Sequence, residues 1–257
     1  MQSEMKKEAE IRRYYTALYD AWGAQHWWPA ESCFEVIVGA YLTQNTAWIN
    51  VERALANLRN AQTLSVEGIR KIRLGNLERL IRPSGYFRQK AKRLKTFVAF
   101  LDKHYKGLIE NLFSQPTSKL REELLALNGI GPETADSILL YAANHPVFVV
   151  DSYTRRILER HTILPPKTDY EDIRQLFEHA LAPVAPEQKD HPIPLASPGR
   201  IRGAAHLPSA MSTAQRTAVA QVYNEMHGLI VRVGKNYCGK SKPKCDECPL
   251  QPFLPRR

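Results

Sequence analysis

Apolar residues recur at helical spacing along most of the chain. Between residues 34 and 44 they outline one helix face, and a leucine-rich segment from 120 to 127 repeats the pattern. The first face consists of Phe34, Val36, Ile37, Ala40 and Tyr41, and the polar Gln44 continues it at the same spacing. The one run typical of a strand, Val147–Val150, is short, and no sheet follows from a single run. The pattern therefore predicts an all-α protein.

Turn residues divide these helices. Proline, glycine, serine and asparagine cluster at 82–85, 115–118 and 128–132, between apolar runs. From 183 to 212 the sequence changes to proline, serine, glycine and alanine with scattered basic residues, and helical periodicity is lost. We expect this segment to be a long flexible surface loop.

Length and composition narrow the class of protein. The 257 residues, 44% hydrophobic and 24% charged, can bury a core without disulfides or metals. No apolar run approaches the roughly 20 residues that span a bilayer, and the amino terminus lacks an apolar signal core. Four cysteines are too few for a disulfide scaffold. We expect no membrane association and an intracellular location, in the cytoplasm or nucleoid.

The charge balance is strongly basic. Lysine and arginine number 36 against 26 acidic residues, a formal charge of +10. Such an excess favours a polyanionic partner through phosphate neutralisation and counterion release. A basic protein without such a partner is the alternative, and charge alone does not separate the two.

The segment Leu127–Asp136 links two apolar helical runs through two glycines, the pattern of a helix-hairpin-helix. Glycine lets the backbone approach a phosphate closely, and the N–H groups at the start of the second helix favour an anion. We therefore expect Gly129, Ile130, Gly131 and Thr134 to contact the DNA backbone without reading bases. An ordinary tight turn between helices is the alternative.

An aspartate follows this hairpin. Asp151 comes after an apolar run and heads a basic helix, so by itself it could be simply a helix N-cap. Hairpin and aspartate together resemble the signature of the endonuclease III, or helix-hairpin-helix GPD, superfamily of DNA glycosylases. The resemblance runs from about Trp27 to Pro249.

The resemblance implies an all-α fold of two helical domains with the active-site cleft between them. We expect a central domain at 31–145 that contains the hairpin, a second domain of 1–30 plus 146–257, and an inserted loop at 183–212. The implied partner is double-stranded DNA with damaged bases, and we expect a monomer. The implied reaction is base excision, in which a damaged nucleotide is turned out of the duplex and its N-glycosidic bond is broken.

Asp151 is the expected catalytic residue. Cleavage of the C–N bond builds positive charge on the sugar, which a nearby carboxylate stabilises while it orients water. Members of the family that also cut the strand carry a lysine where this chain has Glu133. A carboxylate cannot form the Schiff base, so we predict a monofunctional glycosylase without AP-lyase activity. The alternative interpretation of Glu133 is an acidic residue in the first turn of a helix, where its charge interacts favourably with the helix dipole.

Three tryptophans are predicted to form the base pocket. Trp27 and Trp28 precede the first core helix, and Trp48 lies in the segment that ends it. Indole faces suit a flipped purine, and a cationic alkylated one best, through cation–π attraction. This combination resembles the third-type 3-methyladenine DNA glycosylases, which implies that Glu133 and, more weakly, Lys235 also line the pocket. Core packing is the alternative for each tryptophan.

Two further residues match the family's DNA-inserting positions. Gln44 can bond to the base left without a partner, and Tyr86 can stack in the gap. Lys90, Lys92 and Arg93 follow Tyr86 and are expected along nearby phosphates, unless they form an ordinary solvated helix face.

The carboxy-terminal cysteines follow the family's iron–sulfur loop in part. Cys238, Cys245 and Cys248 are spaced as C-x6-C-x2-C, but the expected fourth cysteine is Leu254. A [4Fe–4S] cluster with incomplete cysteine ligation, a vestigial loop without metal and another metal such as zinc remain open. No other cofactor is expected.

Two other functions remain as alternatives. An endonuclease III-like glycosylase would remove oxidised or mismatched pyrimidines. A non-catalytic DNA-binding protein would keep the hairpin without the chemistry.

Overall fold

A computed structural model describes residues 2–184 and 206–255. Within these ranges the secondary structure is helical and contains no β-strand. The α-helices are α1 Gln2–Trp22, α2 Cys33–Leu42, α3 Trp48–Asn60, α4 Val66–Lys71, α5 Leu74–Leu80, α6 Phe87–Tyr105, α7 Ile109–Phe113, α8 Thr117–Leu125, α9 Pro132–Ser137, α10 Ser152–Arg160, α11 Tyr170–Leu181 and α12 Ala218–Asn236. A π-helical turn, Ile138–Ala142, extends α9.

The chain divides into two compact units. One unit is Ala30–Ala143, and the other combines Met1–Pro29 with Asn144–Arg257. We call them the hairpin unit and the aspartate unit, after the motifs that they contain. The domain boundaries expected from the sequence lie within about two residues of these bounds; the division into domains stays a prediction.

Helix α2 forms the centre of the hairpin unit and packs against α3 and α6. The side chain of Ser32 caps its amino terminus by accepting a hydrogen bond from the N–H of Glu35. The prediction of a single apolar face is wrong here, because residues 34–42 are buried on every side. The helix also ends at Leu42, so Trp48 begins α3 rather than closing α2. A helix surrounded by others has no polar face to reveal its ends.

In the aspartate unit, α1 packs against α11, and α10 against α12. Helix α12 is buried over most of its length, between Ala220 and Gly234. The ring of Phe148 stacks on that of Phe177, with 4.3 Å between ring centroids. These apolar contacts form the core of the unit.

The strand-like run Val147–Val150 is buried but forms no strand among the described residues. Side chains satisfy its backbone instead. The N–H of Phe148 donates to Glu178 Oε1 at 2.9 Å, and the N–H of Val150 donates to the Tyr170 hydroxyl at 3.2 Å. These bonds fix the chain directly before Asp151.

The loop predicted at 183–212 is described only at its edges. A 3-10 turn covers Ala182–Val184, and turns held by Ser209 and Ser212 lead toward α12. Residues 185–205 lie outside the described residues. Across 2–184 and 206–255, no helix is both long and apolar enough to cross a membrane.

Candidate active site

The hairpin consists of α8, the turn 126–131 and α9. Gly129 has φ +82°, which favours glycine, and a Cβ there would lie 2.0 Å from Arg93 Nε. Gly131 has an ordinary φ of −98° and caps α9. Within the described residues no hydrogen bond uses the N–H groups of Gly129 and Gly131, so both can donate to an anion.

A buried ion pair braces the hairpin. Arg121 on α8 donates to both carboxylate oxygens of Asp136 on α9, at 2.7 and 3.1 Å, and the Asp136 side chain is completely buried. A bidentate pair fixes orientation as well as distance. The two helices are therefore held rigidly around the turn.

The Gln44 side chain joins this hairpin. Its amide nitrogen donates to the carbonyl of Gly129 at 2.9 Å and to the Thr134 hydroxyl at 3.0 Å. Arg93 donates to the amide oxygen of Gln44 at 2.9 Å. The structure thus brings together four of the residues predicted to contact DNA, Gln44, Arg93, Gly129 and Thr134. Ile130 is buried, and its N–H already donates to the carbonyl of Leu127 at 3.1 Å.

Tyr86 stands apart from this network. It precedes α6 with a left-handed backbone, φ 46°, and its side chain is 68% exposed. Exposure of so large an aromatic ring is consistent with the predicted insertion into DNA.

The prediction that Lys90 lies along DNA phosphates is wrong. Its side chain does not follow phosphates on the surface, because it is buried and donates to the carbonyls of Leu42 at 2.8 Å and Ser84 at 2.7 Å. Burial lowers the pKa of this amine to about 8, and the nearby Arg93 charge adds to the shift. Lys92, by contrast, is exposed.

Two other predicted pocket residues belong to the hairpin unit. Glu133 is exposed in the first turn of α9. Trp48 is half-buried at the start of α3, and its indole N–H donates to Glu52 Oε1 at 2.8 Å.

Asp151 is the N-cap of α10 in the aspartate unit. Its Oδ1 accepts hydrogen bonds from the N–H and the hydroxyl of Thr154, at 2.7 and 2.9 Å, and the Asp151 N–H donates back to Thr154 Oγ1. The alternative interpretation of Asp151 as a helix N-cap is therefore correct, but it accounts for only one of the two carboxylate oxygens. One oxygen serves the cap, and 12% of the side chain remains exposed to solvent.

The other oxygen of Asp151 faces a buried histidine. His227 Nε2 on α12 lies 3.7 Å from Asp151 Oδ2. Burial lowers the pKa of His227, and the Asp151 charge opposes that shift more weakly. The imidazole is therefore neutral at neutral pH and does not cancel the negative charge of the carboxylate.

The tryptophan pair lies against the same helix. A Cβ at Gly228, next to His227, would lie 3.0 Å from the Cβ of Trp27. The rings of Trp27 and Trp28 are 5.3 Å apart and tilted by 50°, and the Lys235 ammonium lies 5.4 Å above the Trp27 ring. Both tryptophans are buried. Helix α12 thus gathers the tryptophan pair, Lys235 and the histidine beside Asp151.

A second glycine of α12 admits an aromatic ring near the aspartate. A Cβ at Gly234 would lie 2.1 Å from the ring of Tyr153, the second residue of α10. The Asp151 charge contributes, after burial, to a raised pKa of the Tyr153 hydroxyl. Sequence reasoning missed Tyr153 and His227, because neither belongs to a motif; the available signal was the two glycines, Gly228 and Gly234, spaced six positions apart in one helical segment.

The three carboxy-terminal cysteines line one small cavity, of about 20 Å³, and Leu254 lines it with them. Arg160 on α10 donates to Cys238 Sγ at 3.1 Å. Among the residues that the structure describes, no group of three or more His, Cys, Asp or Glu is arranged to hold a metal ion. The cysteines offer only partial ligation, and an aliphatic side chain cannot supply the missing thiolate. As placed, they do not fit a four-thiolate [4Fe–4S] cluster.

The helices, hairpin and capped aspartate define a helix-hairpin-helix glycosylase. The model of the HhH-GPD superfamily base excision DNA repair proteins matches residues 38–183, and the chain belongs to this family. The chain is thus a DNA glycosylase of base excision repair, and the family and all-α fold predicted from the sequence are confirmed.

Particular relatives extend the comparison. A putative DNA repair glycosylase of Methanocaldococcus jannaschii is 39% identical over 95% of this chain and 94% of its own length. The structure of H. pylori 3-methyladenine DNA glycosylase (MagIII) bound to 1,N6-ethenoadenine matches with a TM-score of 0.67 at 30% identity, over 89% of this chain and 97% of that one. Endonuclease III of Thermotoga maritima is 27% identical, over 85% of this chain and 80% of its own.

Proposed function

We propose that this glycosylase is monofunctional and hydrolyses the N-glycosidic bond of an alkylated purine, such as 3-methyladenine, in duplex DNA. The observation that carries the proposal is the arrangement along α12. This one helix contacts both the capped carboxylate of Asp151, through His227, and Trp27 of the tryptophan pair. The 30% identity to H. pylori 3-methyladenine glycosylase supports the substrate class.

Asp151 would act on the sugar and on water. As the C–N bond breaks, its electron pair leaves with the base, and the carboxylate stabilises the positive charge that develops on the sugar. Water then attacks the sugar carbon, and its proton passes to the carboxylate. The Thr154 bonds hold Oδ1 in the cap, which leaves Oδ2 for both tasks.

The tryptophan pair would select the base. An alkylated purine carries positive charge, which makes it a good leaving group and attracts it to indole faces. The contact between the Lys235 ammonium and the Trp27 ring is of this same cation–π type. The Trp27 ring thus stabilises a cation in this structure, and a cationic base would compete with Lys235 for that ring.

The hairpin unit would hold the DNA. The N–H groups of Gly129 and Gly131 suit a backbone phosphate, and Tyr86 and Gln44 suit the gap that the flipped nucleotide leaves. Glu133, at the position of the lyase lysine, supports hydrolysis without strand cleavage. We infer that the protein acts as a monomer on damaged duplexes.

An endonuclease III-like activity on oxidised pyrimidines is the second candidate, favoured by the 27% identity to the Thermotoga enzyme. A panel of duplexes with methylated purines, thymine glycol, uracil or mismatched thymine separates the two candidates. We expect release of 3-methyladenine and none of thymine glycol. Release of thymine glycol alone would overturn the proposed substrate, and excision that survives Asp151→Asn would overturn the proposed catalytic residue.

A further inference from the structure

One lysine of the hairpin unit has its amine buried among backbone carbonyls. Lys90 on α6 is 1% exposed, although a buried ammonium is costly unless hydrogen bonds replace its water. The carbonyls of Leu42 and Ser84 accept such bonds, at 2.8 and 2.7 Å. The amine therefore joins two chain segments that are 42 positions apart in the sequence.

Each carbonyl lies two positions before a residue predicted to enter DNA. Leu42 is the last residue of α2, where carbonyls lack partners within the helix and the helix dipole favours a cation. Ser84 is the last residue of the 3-10 turn Arg82–Ser84. Gln44 follows Leu42 by two positions, and Tyr86 follows Ser84 by two.

The Tyr86 segment depends on such a restraint. Gly85 and Tyr86 both have positive φ, 65° and 46°, and this conformation is unfavourable for tyrosine. Tyr86 is 68% exposed as a residue, so packing contributes little to its position. A residue held in a strained conformation persists only where its surroundings fix it, and the bond from Lys90 to Ser84 fixes the chain just before it.

The same helix positions the Gln44 side chain. Arg93, one turn after Lys90 on α6, donates to the Gln44 amide oxygen. Helix α6 thus holds the backbone before Gln44 through Lys90, and it holds the Gln44 side chain through Arg93. Arg93 is also the charged group that acts on the Lys90 amine.

We propose that Lys90 is a positioning residue for base opening, which orients Gln44 and Tyr86 together through the backbone of their two loops. The inference rests on the proposed function, because it concerns how that glycosylase fills the duplex. Lys90 touches neither the base nor the sugar in this scheme. Its loss should impair opening of the helix and spare cleavage of a base that is already accessible.

Fluorescence of 2-aminopurine, placed next to an abasic-site analogue in a duplex, measures the insertion directly. Lys90→Met removes the donor at similar length, and Lys103→Met is the matched control, since it removes the same charge from an exposed position of α6. We expect Lys90→Met to slow the fluorescence rise by about tenfold or more, since misplacement by about 1 Å can cost on the order of 100-fold in rate. Lys103→Met should behave as wild type.

Excision from methylated DNA, native or heat-denatured, separates opening from chemistry. We expect Lys90→Met to reduce single-turnover excision from the duplex by about tenfold and from the denatured strand by less than about threefold. An equal loss on both substrates would mean a general structural role and would overturn the inference. An unchanged rate on the duplex would overturn it as well.

A double variant tests whether Lys90 acts through Tyr86. In Tyr86→Ala the inserting ring is gone, so Lys90→Met should cost less than it does in wild type, since only its effect through Gln44 remains. Independent, multiplicative losses would contradict the proposal. Should Lys90→Met fail to fold, Lys90→Gln keeps N–H donors for the carbonyls on a shorter chain, and a smaller loss that is again specific to the duplex is expected.

The two hypotheses fail separately. The fluorescence assay uses an uncleavable abasic analogue and needs no catalysis. If wild type excises no base of the panel but Lys90→Met still slows insertion, the proposed function fails and the positioning role stands. If wild type excises alkylated purines and Lys90→Met inserts normally, only the positioning role fails.

Discussion

Replacement of Asp151 by asparagine separates two roles that this one side chain combines. Its Oδ1 caps α10 by accepting from the N–H and hydroxyl of Thr154, and its negative charge is what the proposed chemistry requires. Asparagine keeps an acceptor oxygen of the same geometry but carries no charge. The cap should survive the change, and the reaction should not.

The stability cost is small by this reasoning. Aspartate and asparagine are about equally good N-caps, and the lost interaction between charge and helix dipole is worth about 0.3–1 kcal/mol. Asp151→Ala also removes the cap and should cost a further ~1 kcal/mol. The catalytic cost is larger: loss of a general base lowers rates by about 100- to 10,000-fold, which corresponds to roughly 3–5 kcal/mol in the barrier.

Single-turnover excision of 3-methyladenine and urea unfolding measure the two effects side by side. Thr154→Val is the matched control, because it removes a hydroxyl bond to Asp151 at 2.9 Å but keeps the carboxylate. It should cost about 1 kcal/mol of stability and leave excision within roughly fivefold of wild type. Binding of Asp151→Asn to DNA with an abasic analogue should stay within a few-fold of wild type.

Stability and activity must therefore change independently across the three variants. If Asp151→Asn excised within about threefold of wild type, the carboxylate would be only a helix cap. The same conclusion would follow if loss of excision tracked loss of folded protein in all three.

Other predictions concern the lyase position, pH and the cysteine cavity. Borohydride should trap no covalent adduct with DNA, because Glu133 offers no amine; a robust adduct would show that another amine attacks the sugar. The histidines should make the free energy of unfolding fall as the pH drops below about 6.5, because burial lowers the pKa of His161 and His227 in the folded protein and only the unfolded chain then takes up protons. Burial raises the pKa of Glu225, which acts in the opposite direction as the pH falls further. Urea midpoints of wild type and His227→Asn between about pH 7.5 and pH 5 measure the histidine contribution, which the variant should reduce; an identical pH dependence of the two midpoints would contradict it. Leu254→Cys should raise bound iron per chain and the visible absorption of an iron–sulfur cluster, since it supplies the missing thiolate; equal iron content in both proteins would refute the assignment of Leu254 to the fourth position.

The sequence by itself determined the features whose causes are local. Helical periodicity, the turn around Gly129 and the capping residues of α10 depend on neighbours three or four positions away, so the chain displays them directly. The signature of hairpin and Asp151 was enough to identify the family. It also revealed the missing cysteine at Leu254, because ligand spacing is a property of the linear chain.

Only the tertiary structure decided which side chains meet. In the sequence, Lys90 belongs to a run of basic residues that predicts a surface position. Its amine is nevertheless buried, because the carbonyls of Leu42 and Ser84 accept its hydrogen bonds. Gln44 contacts the hairpin at Gly129, which is 85 residues away in the sequence. His227 lies beside Asp151, although it is distant in the sequence and belongs to no motif. Periodicity reports which face of a helix is buried but not which partner it meets, because that choice depends on how distant segments pack.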